Sequence, residues 1–232
     1  VTALVPRWLA AWSRLTDDER SHLVDLACEF DQRIRWEAAR GFTLTDDVRV
    51  AVAAHAALLV LHLDDGIDHY AQVTSVIVHA TTIVRQGARP VGTGGLHSDS
   101  TFALIGEAHH RGPVLVVWDA ARHQIRRPSL GENVLLHEFA HRLDMTDGIS
   151  DGTPRIADSA QLARWVEVCT AALERVRDAE EPTVLRSYAA TNPTEFFAVA
   201  TEVFFTTPAA LRDAEPDLYG VLRDFFRQDP AA

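Results

Sequence analysis

The residues most able to do chemistry stand together in the run His137-Glu138-Phe139-Ala140-His141. Residues four apart share one face of a helix, so both imidazoles can reach a single metal ion. Glu138 sits one residue on, close enough to a metal-activated water to take its proton without itself ligating. Zinc lowers the pKa of such a water from about 15.7 toward about 7, which makes a hydroxide nucleophile available at neutral pH. That is the arrangement of metallopeptidases. The surrounding run is apolar (Val134, Leu135, Leu136, Phe139, Ala140, Leu143), and two unpaired histidines would be costly to bury there. The bland alternative is a pair of capped or solvated helix histidines.

Two histidines leave zinc short of a ligand, because catalytic sites use three protein ligands and a water. No Gly-His continuation follows His141, so the three-histidine variant is out. The third ligand is then a downstream carboxylate or a distant histidine. Asp144, three residues after His141, is better placed to orient an imidazole N–H than to reach the metal. Glu167 and Glu174 could share a face of a long helix, although solvated helix carboxylates are common. The best candidates are Glu195 and Glu202, seven apart and the acidic residues of an otherwise apolar run, Asn192 to Phe205. Glu195 has a competing role: Asn192 as N-cap, Pro193 in the first turn and Glu195 at the third position make a capping-box-like start. Spacing alone leaves ligand and cap in balance.

Several elements must position these residues. Thr16 and Glu19 form a capping box ahead of a helix with Leu23, Leu26, Ala27, Phe30 and Ile34 at helical spacing, stopped by Gly41. Thr45 to Leu63 begins with a second capping signal and is apolar almost all round, which predicts a buried helix. Val73 to Val84 is rich in β-branched residues and reads as a strand. Residues 85–101 form an irregular loop. Strands follow at Thr101 to Ile105 and Val114 to Trp118, with His109 and His110 as ordinary surface histidines between them, and a second loop leads to Gly131. The His137 helix ends in the Gly- and Asp-rich run 146–154. Helices at Ser159 to Ala179, Asn192 to Phe205 and Pro216 to Gln228 complete the reading, with the phenylalanines of the last two in the core.

The chain has 232 residues, 47% hydrophobic and 24% charged, enough for one sizeable core. Its 22 Lys and Arg against 33 Asp and Glu leave a net charge of −11, which disfavours a phosphate-backbone binder. Cys28 and Cys169 stand alone and read as small core residues. Trp8, Trp12 and Arg14 interrupt the first segment where a signal peptide needs an apolar stretch, and Val48 to Leu63 is too short and polar to span a membrane. The expectation is a cytoplasmic protein without membrane or nucleic-acid partners, folded as a single domain over 1–232.

The text HEFAHRLD followed by SYAATNPTEFFAVATEVFF resembles the Mlc titration factor A family of zinc peptidases, whose sites are similar to that of anthrax lethal factor. The similarity extends through GFTLTDDVRVAVAAHAALLVL, TSVIVHATTIV, IGEA and GPVLVVW to DLYGVLRDFFRQDP, most of the chain from about residue 20. The resemblance implies one zinc on His137, His141 and Glu195, with Glu138 as base and Tyr188 as a donor to the transition state. It places Glu202 and Asp144 in supporting positions behind the ligands. It implies an α+β, zincin-like metallopeptidase domain, mostly helical with a small β-sheet, acting on peptide substrates in an aminopeptidase-like way. Enterobacterial members of the family bind a glucose repressor, which no residue here identifies. The rival is therefore a zinc-containing regulatory protein that binds and sequesters a transcriptional repressor. An intact Glu138 favours the enzyme, since a structural site needs no base. A non-peptidase metallohydrolase is a further rival.

Overall fold

A computed structural model describes residues 3–39, 41–81 and 112–232. The expected strand 101–105, the loop 85–101 and His109–His110 lie outside the described residues. A short helix α1 (Val5–Trp8) and a 3-10 turn (Ala10–Arg14) lead into α2 (Asp17–Arg33). The capping box forms at its start: Glu19 N–H donates to Thr16 Oγ1 at 3.3 Å, and Thr16 N–H donates to Glu19 Oε2 at 2.7 Å. The helix ends at Arg33, earlier than Gly41. Ile34 is extended (φ −87°, ψ 135°), and β1 (Arg35–Ala38) follows. Here tertiary pairing overrides local propensity.

Helix α3 (Asp46–Val60) is buried from Val50 to Val60 on every side, as a helix apolar all round must be. Thr45 is its N-cap residue but makes no side-chain capping bond. Strand β2 (Ser75–His79) then pairs in parallel with β1, Arg35 opposite Ser75 and Ala38 opposite Val78. Strand β3 (Val114–Val117) pairs in parallel with β2, Val76 opposite Val114 and His79 opposite Val117, so the order is β1-β2-β3. Trp118 does not continue the strand. It opens α4 (Trp118–Ile125), where a loop was expected, and buries Trp118, Ala121 and Ile125 on one face.

The remaining helices are α5 (Val134–Asp144), α6 (Ser159–Asp178), α7 (Pro193–Thr206), α8 (Pro208–Ala214) and α9 (Pro216–Phe226). Helix α8 went unforeseen. Among the described residues the architecture is thus mostly helical, with a small three-stranded parallel sheet. Helix α5 packs on α3 on one side and on α7 on the other. Phe30, Tyr70 and Phe139 interlock edge to face at 5.2–5.8 Å and fix α5 against α2. Phe197, Phe204, Phe205, Phe225 and Phe226 form a second aromatic group around α7 and α9. The carrier helices of His137 and Glu195 are therefore each anchored by aromatic contacts on the side away from the histidines. Cys28 and Cys169 are free thiols and only partly buried.

Candidate metal centre

Helix α5 starts at Asn133, whose side chain accepts from the backbone N–H groups of Leu135 (3.1 Å) and Leu136 (3.3 Å). Its apolar face enters the core through Leu135, Leu136, Phe139, Ala140 and Leu143. The 3.6-residue repeat then turns His137 and His141 together toward α7, with ring centroids 4.6 Å apart. Helix α7 presents Glu195 to the same point. His137 Nε2 lies 3.0 Å from His141 Nε2 and 3.1 Å from Glu195 Oε2, and His141 Nε2 lies 3.5 Å from that oxygen. These three ligand atoms all fall within 4.8 Å of one another, a set that could hold a metal ion.

The two roles weighed for Glu195 do not compete, because they fall to different parts of the residue. Its backbone N–H donates to Asn192 Oδ1 at 2.9 Å, capping α7. Its carboxylate turns toward the two imidazoles. Oε2 is buried and, although close to both rings, accepts no well-directed hydrogen bond. Two imidazole nitrogens and a carboxylate oxygen are a donor set that suits zinc, and the buried Glu195 Oε2 beside both rings has no hydrogen-bond donor to satisfy it, a need that a cation would meet. The residues present therefore fit the ion.

Behind His137 lies Glu202, only 1% exposed. Its Oε1 accepts from His137 Nδ1 at 2.7 Å and from Arg186 Nη2 at 2.7 Å, while Oε2 accepts from Asn133 N–H at 2.6 Å. The bond to Nδ1 leaves Nε2 free to face His141 and Glu195. Burial disfavours charge on His137, but the close Glu195 carboxylate and the hydrogen-bonded Glu202 carboxylate outweigh it and raise its pKa to about 10. Burial likewise opposes ionisation of Glu195 and Glu202, and the imidazole contacts overcome it in both, holding them below the usual carboxylate range.

Asp144 is fully buried, but no hydrogen bond joins it to an imidazole. Its Oδ2 accepts from Ser150 Oγ at 3.2 Å, and that hydroxyl is 3.3 Å from Thr194 Oγ1 at the start of α7. Burial raises the Asp144 pKa, and the nearby His141 opposes that rise. Ser150 thus links the end of α5 to the start of α7. Glu138 is partly buried on α5, near enough for its charge to favour protonated His137. Tyr188 sits in a 3-10 turn, Ser187–Ala190, just before α7, with its ring centroid 6.1 Å from that of His137. Glu167 and Glu174 are exposed on α6 and stay out of the cluster. Spacing gave no sign of Arg186, sixteen residues before the carboxylate it contacts.

Two histidines of one helix and a glutamate of another thus meet, in a mostly helical protein, as a cluster that could hold a metal ion. The chain belongs to the glucose-regulated metallo-peptidase M90 family, which it matches over residues 2–227. It is 33% identical to an uncharacterized protein of Synechocystis sp., over 98% of this chain and 86% of that relative. It is 29% identical to the Mlc titration factor A of Serratia proteamaculans, over 95% of this chain and 84% of the relative. With the Mlc titration factor A of Edwardsiella ictaluri it shares 30% identity, over 93% and 83%.

Proposed function

We propose that the protein is a zinc-dependent peptidase, aminopeptidase-like in its preference for small substrates, with one zinc on His137, His141 and Glu195. The observation that carries this reading is the convergence of His137 Nε2, His141 Nε2 and Glu195 Oε2, with Glu138 on the same helix. Bound zinc supplies a Lewis acid and lowers the pKa of water toward neutrality. Glu138 accepts the proton of the attacking water and returns it to the departing amine. Tyr188, beside His137, donates a hydrogen bond from its hydroxyl to the carbonyl oxygen as that oxygen gains charge. Glu202 holds the His137 ring by Nδ1 throughout. The same reading takes residues 1–232 as one zincin-like domain that works in the cytoplasm. No helix of the described residues is long and apolar enough to cross a membrane.

A second reading has its own support. Relatives that cover more than nine-tenths of this chain bear the name Mlc titration factor A, which speaks for a protein that captures a transcriptional regulator. Under it, the metal cluster serves mainly to hold α5 and α7 together. A panel of fluorogenic aminoacyl and internally quenched peptides separates the two. Hydrolysis that disappears with chelator and returns with zinc supports the peptidase. No hydrolysis at full zinc occupancy, with stoichiometric binding of a repressor protein, supports capture.

A further inference from the structure

Arg186 belongs to neither the motif helix nor the glutamate helix, yet it touches both halves of the candidate centre. Its Nη2 donates to Glu202 Oε1 at 2.7 Å, onto the same oxygen that receives His137 Nδ1. Its guanidinium carbon also lies 5.7 Å from the centroid of the Tyr188 ring. Glu202 is 1% exposed, and its other donors are the Asn133 backbone N–H and the imidazole. Neither carries a fixed charge, whereas a guanidinium is charged at every pH a protein survives. A buried carboxylate that loses its cationic partner is strongly destabilised in place and tends to turn away or recruit water. Its Oε1 would then no longer fix the imidazole.

The second contact is of a different kind. A planar guanidinium over a phenol ring is attractive through the ring's quadrupole. Arg186 stands at the N-terminal edge of the turn Ser187–Ala190 and accepts, at its carbonyl, the N–H of Ala189 at 3.0 Å. The turn that carries Tyr188 is therefore tied to the Glu202 carboxylate by one side chain, not only by the backbone.

We infer that Arg186 is a positioning residue that fixes two things together: the His137 imidazole, through Glu202, and the turn bearing Tyr188, through its stack on that ring. The inference rests on the zinc reading for the imidazole, but its test does not depend on peptide hydrolysis. Zinc affinity is measured by competition with a chromophoric chelator, and amide exchange across residues 187–190 by mass spectrometry on the zinc-free protein. Arg186→Ala should weaken zinc about 10–100-fold and speed exchange in the turn about tenfold. Arg186→Lys keeps a cation for Glu202 but lacks the flat face. It should bind zinc within a few-fold of the parent while the turn exchanges as fast as in Arg186→Ala. This variant also covers the case in which Arg186→Ala does not fold. A parent that binds no zinc overturns the metal reading itself. A parent that binds zinc, with Arg186→Ala within twofold of it, overturns the imidazole role. Parent-like exchange in Arg186→Lys overturns the stacking role.

Discussion

Glu202 Oε1 lies 2.7 Å from His137 Nδ1, on the side of the ring opposite the Nε2 that meets His141 and Glu195. The relationship decides which nitrogen is offered to a metal: with Nδ1–H donated to a fixed carboxylate, only Nε2 retains a lone pair for the cluster. Glu202→Gln keeps the shape and removes the charge that attracts the N–H. Zinc affinity, measured against a competing chelator, should fall about 10–100-fold. An unchanged affinity would mean that the ring is held by packing alone.

Capping and ligation can be separated at the start of α7, because Asn192 does one and the Glu195 side chain is placed for the other. Asn192→Ala removes the acceptor of the Glu195 N–H and should cost about 1 kcal/mol of stability with zinc retained. Glu195→Ala leaves that backbone bond in place and should empty the metal site. Urea unfolding and metal analysis of the two variants check both halves. Equal zinc content in both would return Glu195 to a purely capping role.

Gly152 sets where α7 begins. It has φ +80°, and a Cβ built there would collide with the Pro193 carbonyl oxygen, two residues from Glu195. Gly152→Ala must therefore either strain its own backbone or push the first turn of α7 away from α5. The expected loss is about 1–3 kcal/mol in unfolding free energy, accompanied by weaker zinc binding. Parent-like values of both would show that the loop adapts without moving the helix.

His55 gives the fold an acid-sensitive point that is not part of the metal cluster. It is buried on α3, its Nδ1–H donates to the Ala51 carbonyl at 2.7 Å, and burial lowers its pKa to about 4 despite that bond. The unfolded histidine titrates near 6.5, so the unfolded chain binds the extra proton between the two values. The stability contribution is full above about pH 6.5 and lost as pH falls toward 4. Between pH 7 and 4.5 this amounts to about 2–3 kcal/mol. The comparison is urea unfolding of metal-free parent and His55→Gln at the two pH values. The variant should show a shallower decline by about that amount; parallel declines would place the acid sensitivity elsewhere.

Much of the centre was legible because it sits on strongly patterned helices. The repeat around His137 defined the apolar face of α5, and Asn192-Pro193 with its apolar run defined α7. Their convergence was not legible from spacing, which left Glu195 balanced between two roles; in the structure its backbone N–H is capped by Asn192 while its carboxylate faces the histidines. Strand β1 was hidden because Arg35–Ala38, although it alternates polar and apolar, is only four residues long and follows the α2 pattern directly, and its pairing with Ser75–Val78 is a long-range choice. Helix α4 carried a usable signal, Trp118, Ala121 and Ile125 at helical spacing, in a run too short to stand out. Helix α8 spans seven residues and is recognisable only by its leading Pro208. Arg186 left no trace, since its partners lie on other elements. The Ser150 contact of Asp144 was not legible either, because helix spacing fixes a face but not the loop that folds over it.

The central claim is that Glu138 works as a base beside a zinc held by His137, His141 and Glu195. It is tested most directly by the turnover of Glu138→Gln on a fluorogenic peptide cleaved by the parent, at zinc occupancy measured in the same samples. The substitution preserves shape and removes the proton acceptor. The account predicts about one zinc per chain in both proteins and a fall in kcat of about 100-fold or more in the variant. A zinc-loaded Glu138→Gln that turns over at the parent's rate would contradict it.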